Sequence, residues 1–214
     1  MRQDYFTISG ETENVIIIER SRFICSVKGV NDENEAKAFI ELIKKRHTLA
    51  THYCYAYIAD ENGLNQKFSD AGEPQGTAGL PMLEVLKNKR MYKTVAVVTR
   101  YFGGVKLGTG GLTRAYSSSV VECLKVANVL NMCEATFVKI NVDYEKYSKL
   151  LKLLSDTGVS LISTQFDNDV LVDLAIKCIK VDDFIKTVTD AFSGRVECQV
   201  IGSAYYAFKE WLCP

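Results

Sequence analysis

Histidine and proline are close to missing from this chain. It has only His47 and His52, and three prolines, in 214 residues. Two histidines and no CxxC pair leave no ligand set for a structural zinc, so neither a metal nor a resident cofactor is expected. Scarce proline and no low-complexity tract argue for an ordered chain. Net charge is also lacking, with 26 basic residues against 26 acidic. The whole molecule is therefore not a polycation, and any nucleic-acid site has to be a local patch. No apolar run approaches the roughly 20 residues of a membrane-spanning helix. The opening Met1-Arg2-Gln3-Asp4 has no signal-peptide core, so a cytoplasmic protein without a membrane partner is expected. Seven cysteines, an odd count, sit mostly among apolar neighbours and read as buried reduced thiols.

What is present is a regular alternation of strand-like and helix-like segments. Residues 4–8, 14–19 and 22–28 are β-rich, the string from Val15 to Ile18 most plainly. Asn31-Asp32 offers an N-cap to a helix running to about Arg46 on Ala36, Phe39, Ile40 and Ile43. Residues 53–59 read as a strand and 60–78 as one long polar loop. A short helix over 79–89 follows, with Pro81 in its first turn, and then a buried strand over 94–99. A glycine-rich turn leads to a helix over roughly 110–130, with Asn131 as its C-cap. After Glu134 the order becomes strand, helix, strand, strand, helix, strand, the ferredoxin-like pattern. The expectation is an α+β chain of two domains, 1–134 and 135–214.

Charge is uneven between them. Residues 1–134 carry 17 basic and 15 acidic groups, the remainder 9 and 11. Within 64–114 there are eight cations and three acids, and this excess coincides with the glycine-rich turns. Five glycines (Gly103, Gly104, Gly108, Gly110 and Gly111) follow a strand and precede a helix. Free N–H groups at a helix start attract anions, and glycine lets them approach the backbone. Arg100, Lys106 and Arg114 would add charge-assisted contacts to phosphate. Neither the Walker A ending nor the Rossmann spacing is present. Tyr101 and Phe102 beside these cations suit base stacking, although one of two adjacent aromatics commonly belongs to a core. The second segment, Ser69 to Gly79, offers Asp70 and Glu73 as acids or ligands, or as caps for local N–H groups. On a strand, His52 and Cys54 share a face, but that spacing rarely gives a Cys–His dyad.

These residues together resemble the YigZ/IMPACT family. The match rests on Ser21-Arg22-Phe23-Ile24, His52-x-Cys54-x-Ala56-Tyr57, the Ser69–Gly79 segment and Thr99-Arg100-Tyr101-Phe102-Gly103-Gly104-x-Lys106-Leu107-Gly108. It spans about residues 17–125. The resemblance implies that the first domain takes the fold of the second domain of a small-subunit ribosomal protein. It also implies that the second is the small ferredoxin-like domain of bacterial members, similar to a domain of elongation factor G. Eukaryotic members act in translational control through an added N-terminal domain absent from this pattern. One departure is Ala71, where the family shows a second acid, which weakens any mechanism needing paired carboxylates at 70 and 71.

Three functional readings stay open. The leading one is a binding protein, RNA- or ribosome-associated, acting in translation regulation and contacting phosphate through Arg100, Lys106, Arg114 and the 103–111 backbone. Its rival is an enzyme on a phosphorylated or acidic small molecule, with His52, Asp70 and Glu73 at the same turn. A protein partner docking on the C-terminal sheet is a third.

Overall fold

Alternating apolar residues build a sheet with helices on both faces. The computed structural model describes residues 4–208, which divide into two compact units, one of them Tyr5–Asn131 and the other from Met132 onward. In the first unit the chain runs through β1 (Tyr5–Ile8), β2 (Glu11–Ile18), β3 (Ser21–Gly29), α1 (Glu33–Arg46), β4 (His52–Ile58), β5 (Gln66–Ser69), α2 (Gly79–Asn88), β6 (Thr94–Tyr101) and α3 (Gly108–Val126). Five of its strands form an antiparallel sheet in the order β2-β3-β6-β4-β5. β1 bridges to the segment after α2 through Phe6 and Met91.

β6 is central and buried along nearly its whole length, so it carries apolar residues on both faces. Val95 and Val97 pack under Ala36, Phe39, Ile40 and Ile43 of α1. Ala96 and Val98, pointing the other way, meet Met82 and Leu86 of α2 and Leu112, Tyr116, Val120 and Cys123 of α3. The cap expected before α1 is Asp32, whose carboxylate accepts from the Glu35 N–H.

Three sequence expectations differ from the structure. The loop over 60–78 contains β5, four mostly exposed residues paired to β4, whose pattern carries no burial signal. The third helix begins at Gly108 and ends at Val126, short of 130. Asn131 is no C-cap, because Ala127 turns extended and β7 (Val129–Val142) starts two residues later. Val129, Leu130 and Met132 are apolar enough to extend a helical stripe on paper, but a short apolar run fits strand or helix equally.

The second unit continues as β7, α4 (Tyr144–Thr157), β8 (Ser160–Phe166), β9 (Val170–Lys177), α5 (Val181–Ala191) and β10 (Cys198–Phe208). β9 lies antiparallel between β7 and β8, and β10 pairs with β7. Alternate residues of β7 and β9, Val138, Ile140, Val172, Leu174 and Ile176 among them, form a core with Leu150, Leu154, Phe184 and Val188. Asp143 caps α4 by accepting from the Lys146 N–H, and Gly158 ends it in the left-handed conformation. The hydrogen bond with the Lys146 ammonium, and that with its N–H, hold the Asp143 carboxyl below the usual aspartate range. Overall the chain is mixed α/β. No helix among the described residues is long and apolar enough to cross a membrane.

Candidate functional site

Sheet register brings the sequence candidates together. Arg100 on β6 lies opposite Phe23 on β3 and His52 on β4, in one row across three strands. Because Arg100 is two residues beyond Val98, it shares the face that packs against α3. Its side chain is only 5% exposed. A guanidinium cannot be desolvated there without a partner, and Glu73 supplies one, with Nη1 to Oε1 at 2.6 Å. The Glu73 side chain is 4% exposed. The Tyr116 hydroxyl donates to the same Oε1 at 2.8 Å, and His52 Nε2 lies 4.0 Å from it. Burial pushes the Tyr116 phenol far above its ordinary range, so it stays a neutral donor.

The remaining groups hold the 70–79 loop in place. Asp70 does not face solvent as a ligand: Oδ1 accepts from the N–H groups of Ala78 and Gly79, and Oδ2 from that of Gly76. These bonds cap the start of α2, which has no side-chain cap from its own N-cap residue, Ala78. His52 Nδ1 lies 3.0 Å from the Ala71 carbonyl, so that nitrogen carries the proton and donates. The Cys54 thiol donates to the Asp70 carbonyl at 2.9 Å, and burial pushes its pKa to about 12. Gly79 must be glycine, since a Cβ there would come within 2.7 Å of the Ser69 backbone. Four side chains from three segments thus pin one loop against β4 and β6.

The glycine-rich turn divides by role. Gly103 is structural: an added Cβ would sit 2.1 Å from the Arg20 carbonyl carbon, and its N–H donates to Ser21 Oγ. Gly104 and Gly108 take positive φ, of 86° and 68°, in open surroundings. Gly108 opens α3, whose N-cap residue, Leu107, supplies no side-chain hydrogen bond. Gly110 and Gly111 lie in its first turn. The Arg114 guanidinium leans back toward that turn, reaching the space beside Gly110. Lys106 and Arg114 are exposed and have no ion pair or hydrogen bond among the described residues.

Two adjoining cavities flank Lys106 and Leu107. One, of about 350 Å³, is walled by Glu73, Pro74, Arg100, Phe102, Gly108, Thr109 and Leu112. The other, of about 460 Å³, is lined by Glu19, Gly111, Arg114 and Ser118. Phe102 stands 47% exposed at the mouth of the first, with the Arg100 guanidinium 5.4 Å from its ring centroid. The other aromatic, Tyr101, hydrogen-bonds His47 and lies under Arg22, so it serves the α1 side. A further cavity, of about 530 Å³ between Gly158 and Phe208 in the second unit, contains none of the sequence candidates.

The structure therefore brings His52, Asp70, Glu73 and Arg100 into one network and leaves Lys106, Arg114, Gly108, Gly110 and Gly111 at its solvent edge. Tyr116 belongs to the network and was legible only as part of the apolar stripe of α3. Arg100 reaches the surface only as a wall of the cavity, because its place in the row with Phe23 and His52 buries it. Cys25, Cys54 and Cys123 are buried free thiols, Cys178 and Cys198 are half-buried and free, and Cys133 is buried; Cys213 lies outside the described residues.

Comparison with known proteins covers both units. The Impact N-terminal domain matches residues 19–124, and a domain of unknown function, DUF1949, matches residues 140–195. IMPACT family member YvyE of Bacillus subtilis is 42% identical over 195 residues, 91% of this chain and 90% of that protein. IMPACT family member YigZ of Escherichia coli is 33% identical over 186 residues, 86% of this chain and 91% of its own. A crystal structure described as that of a hypothetical protein superposes with a TM-score of 0.59 at 30% identity, covering 94% of this chain and 99% of the other.

Proposed function

The chain belongs to the IMPACT family, and on that premise we propose that its first unit binds single-stranded RNA beside the translation machinery. Phosphate is gripped at the Gly108 end of α3. One observation carries this reading: Lys106 and Arg114, two exposed cations without partners among the described residues, flank the start of a 19-residue helix that has no side-chain cap, beside an exposed Phe102. Helix-end N–H groups, cations and an aromatic platform are the components of sequence-tolerant single-strand binding. Each helix-end contact contributes only about 0.3–1 kcal/mol at an exposed site, so several must act together. Arg100 acts here from inside, fixing Phe102 and the cavity wall. A translation-related role places the protein in the cytoplasm.

The enzyme reading, on a phosphorylated or acidic small molecule at the same turn, has less support. Both Asp70 oxygens are committed to main-chain N–H groups, His52 Nδ1 to a carbonyl, and Glu73 to Arg100 and Tyr116. Asp70 is thereby fully committed, and this reading would have to move its proton through His52 Nε2, which lies 4.0 Å from Glu73 Oε1. The strand order β10-β7-β9-β8 supports a ferredoxin-like plan for the second unit. Exposed Leu161, Ile162 and Phe166 on β8 and Val200 and Ile201 on β10 favour a protein partner there. For the first unit, the small-subunit ribosomal-protein fold remains the plan that the family resemblance suggests.

Binding of the whole protein to labelled single-stranded RNA, titrated across salt, tests the RNA reading. Affinity should fall steeply with salt, and Lys106→Glu with Arg114→Glu should abolish saturable binding while leaving the far-UV spectrum unchanged. Equal binding by this double variant, or no binding at low salt by the parent, rejects the site.

A further inference from the structure

Resting on the RNA reading of this site, we infer that the cavity between Pro74 and Phe102 holds one unpaired base, stacked on Phe102, with its phosphate on the amides of Gly108 and Thr109. At about 350 Å³ the cavity lies within the roughly 300–1,000 Å³ range of small-molecule sites, which leaves room for a nucleobase. Its walls suit a base. Pro74, Leu107 and Leu112 are apolar, while Lys106 and the open start of α3 stand at the same rim.

Phe102 is pre-positioned for stacking. The Arg100 guanidinium holds the ring through a cation–π contact, and the Phe102 N–H donates to Thr51 Oγ1. An aromatic kept half-exposed and pinned in this way loses little freedom when a base lands on it.

Arg100 forms part of the wall and is held there by Glu73, which accepts from Nη1 at 2.6 Å, with Nη2 3.4 Å from Ser21 Oγ. The adjoining cavity, sharing Lys106 and containing Arg114, continues the cationic track for the neighbouring phosphate. The site thus reads the presence of an exposed base and not the charge of the backbone alone.

The test compares the whole protein's affinity for a short labelled single-stranded RNA, the same strand with abasic positions, and its duplex. The single strand should bind best. Phe102→Ala should weaken it at least about fivefold, leave the salt slope unchanged, and bring it level with the abasic strand. Phe102→Trp should restore or improve binding. If Phe102→Ala or the abasic strand binds like the parent, or the duplex binds as tightly as the single strand, the base pocket is wrong. Should Lys106→Glu and Arg114→Glu still abolish binding in that case, phosphate recognition stands without the pocket. If single-stranded RNA does not bind at all, both readings fall.

Discussion

Replacing Glu73 by alanine is the sharpest probe of the buried network. It removes the carboxylate that neutralises Arg100, whose side chain is 5% exposed, and strips the Tyr116 hydroxyl of its acceptor. Breaking a buried pair by deleting one partner costs about 3–5 kcal/mol, because the remaining charge stays desolvated and uncompensated. With a urea m-value of about 1–3 kcal/mol/M, the midpoint of the first unit should fall by roughly 2 M. Because the chain has two compact units, a single global probe mixes two transitions. Amide exchange along β6 (Thr94–Tyr101) reports the first unit by itself. The double variant Glu73→Leu with Arg100→Met should recover most of the loss, since an apolar pair of similar volume removes the desolvated charge altogether. A loss below about 1 kcal/mol in Glu73→Ala would mean that Arg100 finds solvent or another partner, refuting the account of a sealed ion pair.

Three further outcomes follow from the structure. Cys54, with its thiol pushed up to about 12, should resist alkylation at pH 8 in the folded protein and react once denaturant is added. Its folded pKa lies above the ordinary thiol value of 9.0, so the stability it lends is full below pH 9 and drains as pH rises toward about 12; a denaturation series over that window checks the sign. Gly103→Ala should cost about 1–3 kcal/mol or more, because its Cβ would collide with backbone at Arg20 and Ser21 and not with a yielding side chain, which thermal unfolding would show.

Much of this was legible in the chain itself. Asp32 declared the start of α1, and the period of Ala36, Phe39, Ile40 and Ile43 declared its buried face. The glycine and cation cluster marked the region of the candidate site, since five glycines gather before and within the first turn of α3 beside Arg100, Lys106 and Arg114. Burial within that cluster was harder to see. Arg100 and Arg114 look alike in sequence, and only the register opposite Phe23 and His52 makes one a core residue and the other a surface one. The bond from Tyr116 to Glu73 spans 43 positions, and no local pattern encodes it. β5 is not legible in the sequence, because an edge strand of four mostly exposed residues has no apolar period.

The loop over 70–79 takes its shape from Asp70 and main-chain N–H groups, and amides are supplied by every residue except proline. Position 75, whose side chain is exposed, is therefore chemically anonymous to the scaffold. Pro74 and Gln75 can be exchanged as one changes the tip of a tool while keeping the handle. A gene copy could drift toward a new ligand preference at this rim without first surviving a destabilised fold, and a library randomised at these two positions would stay largely folded while its binding diversified.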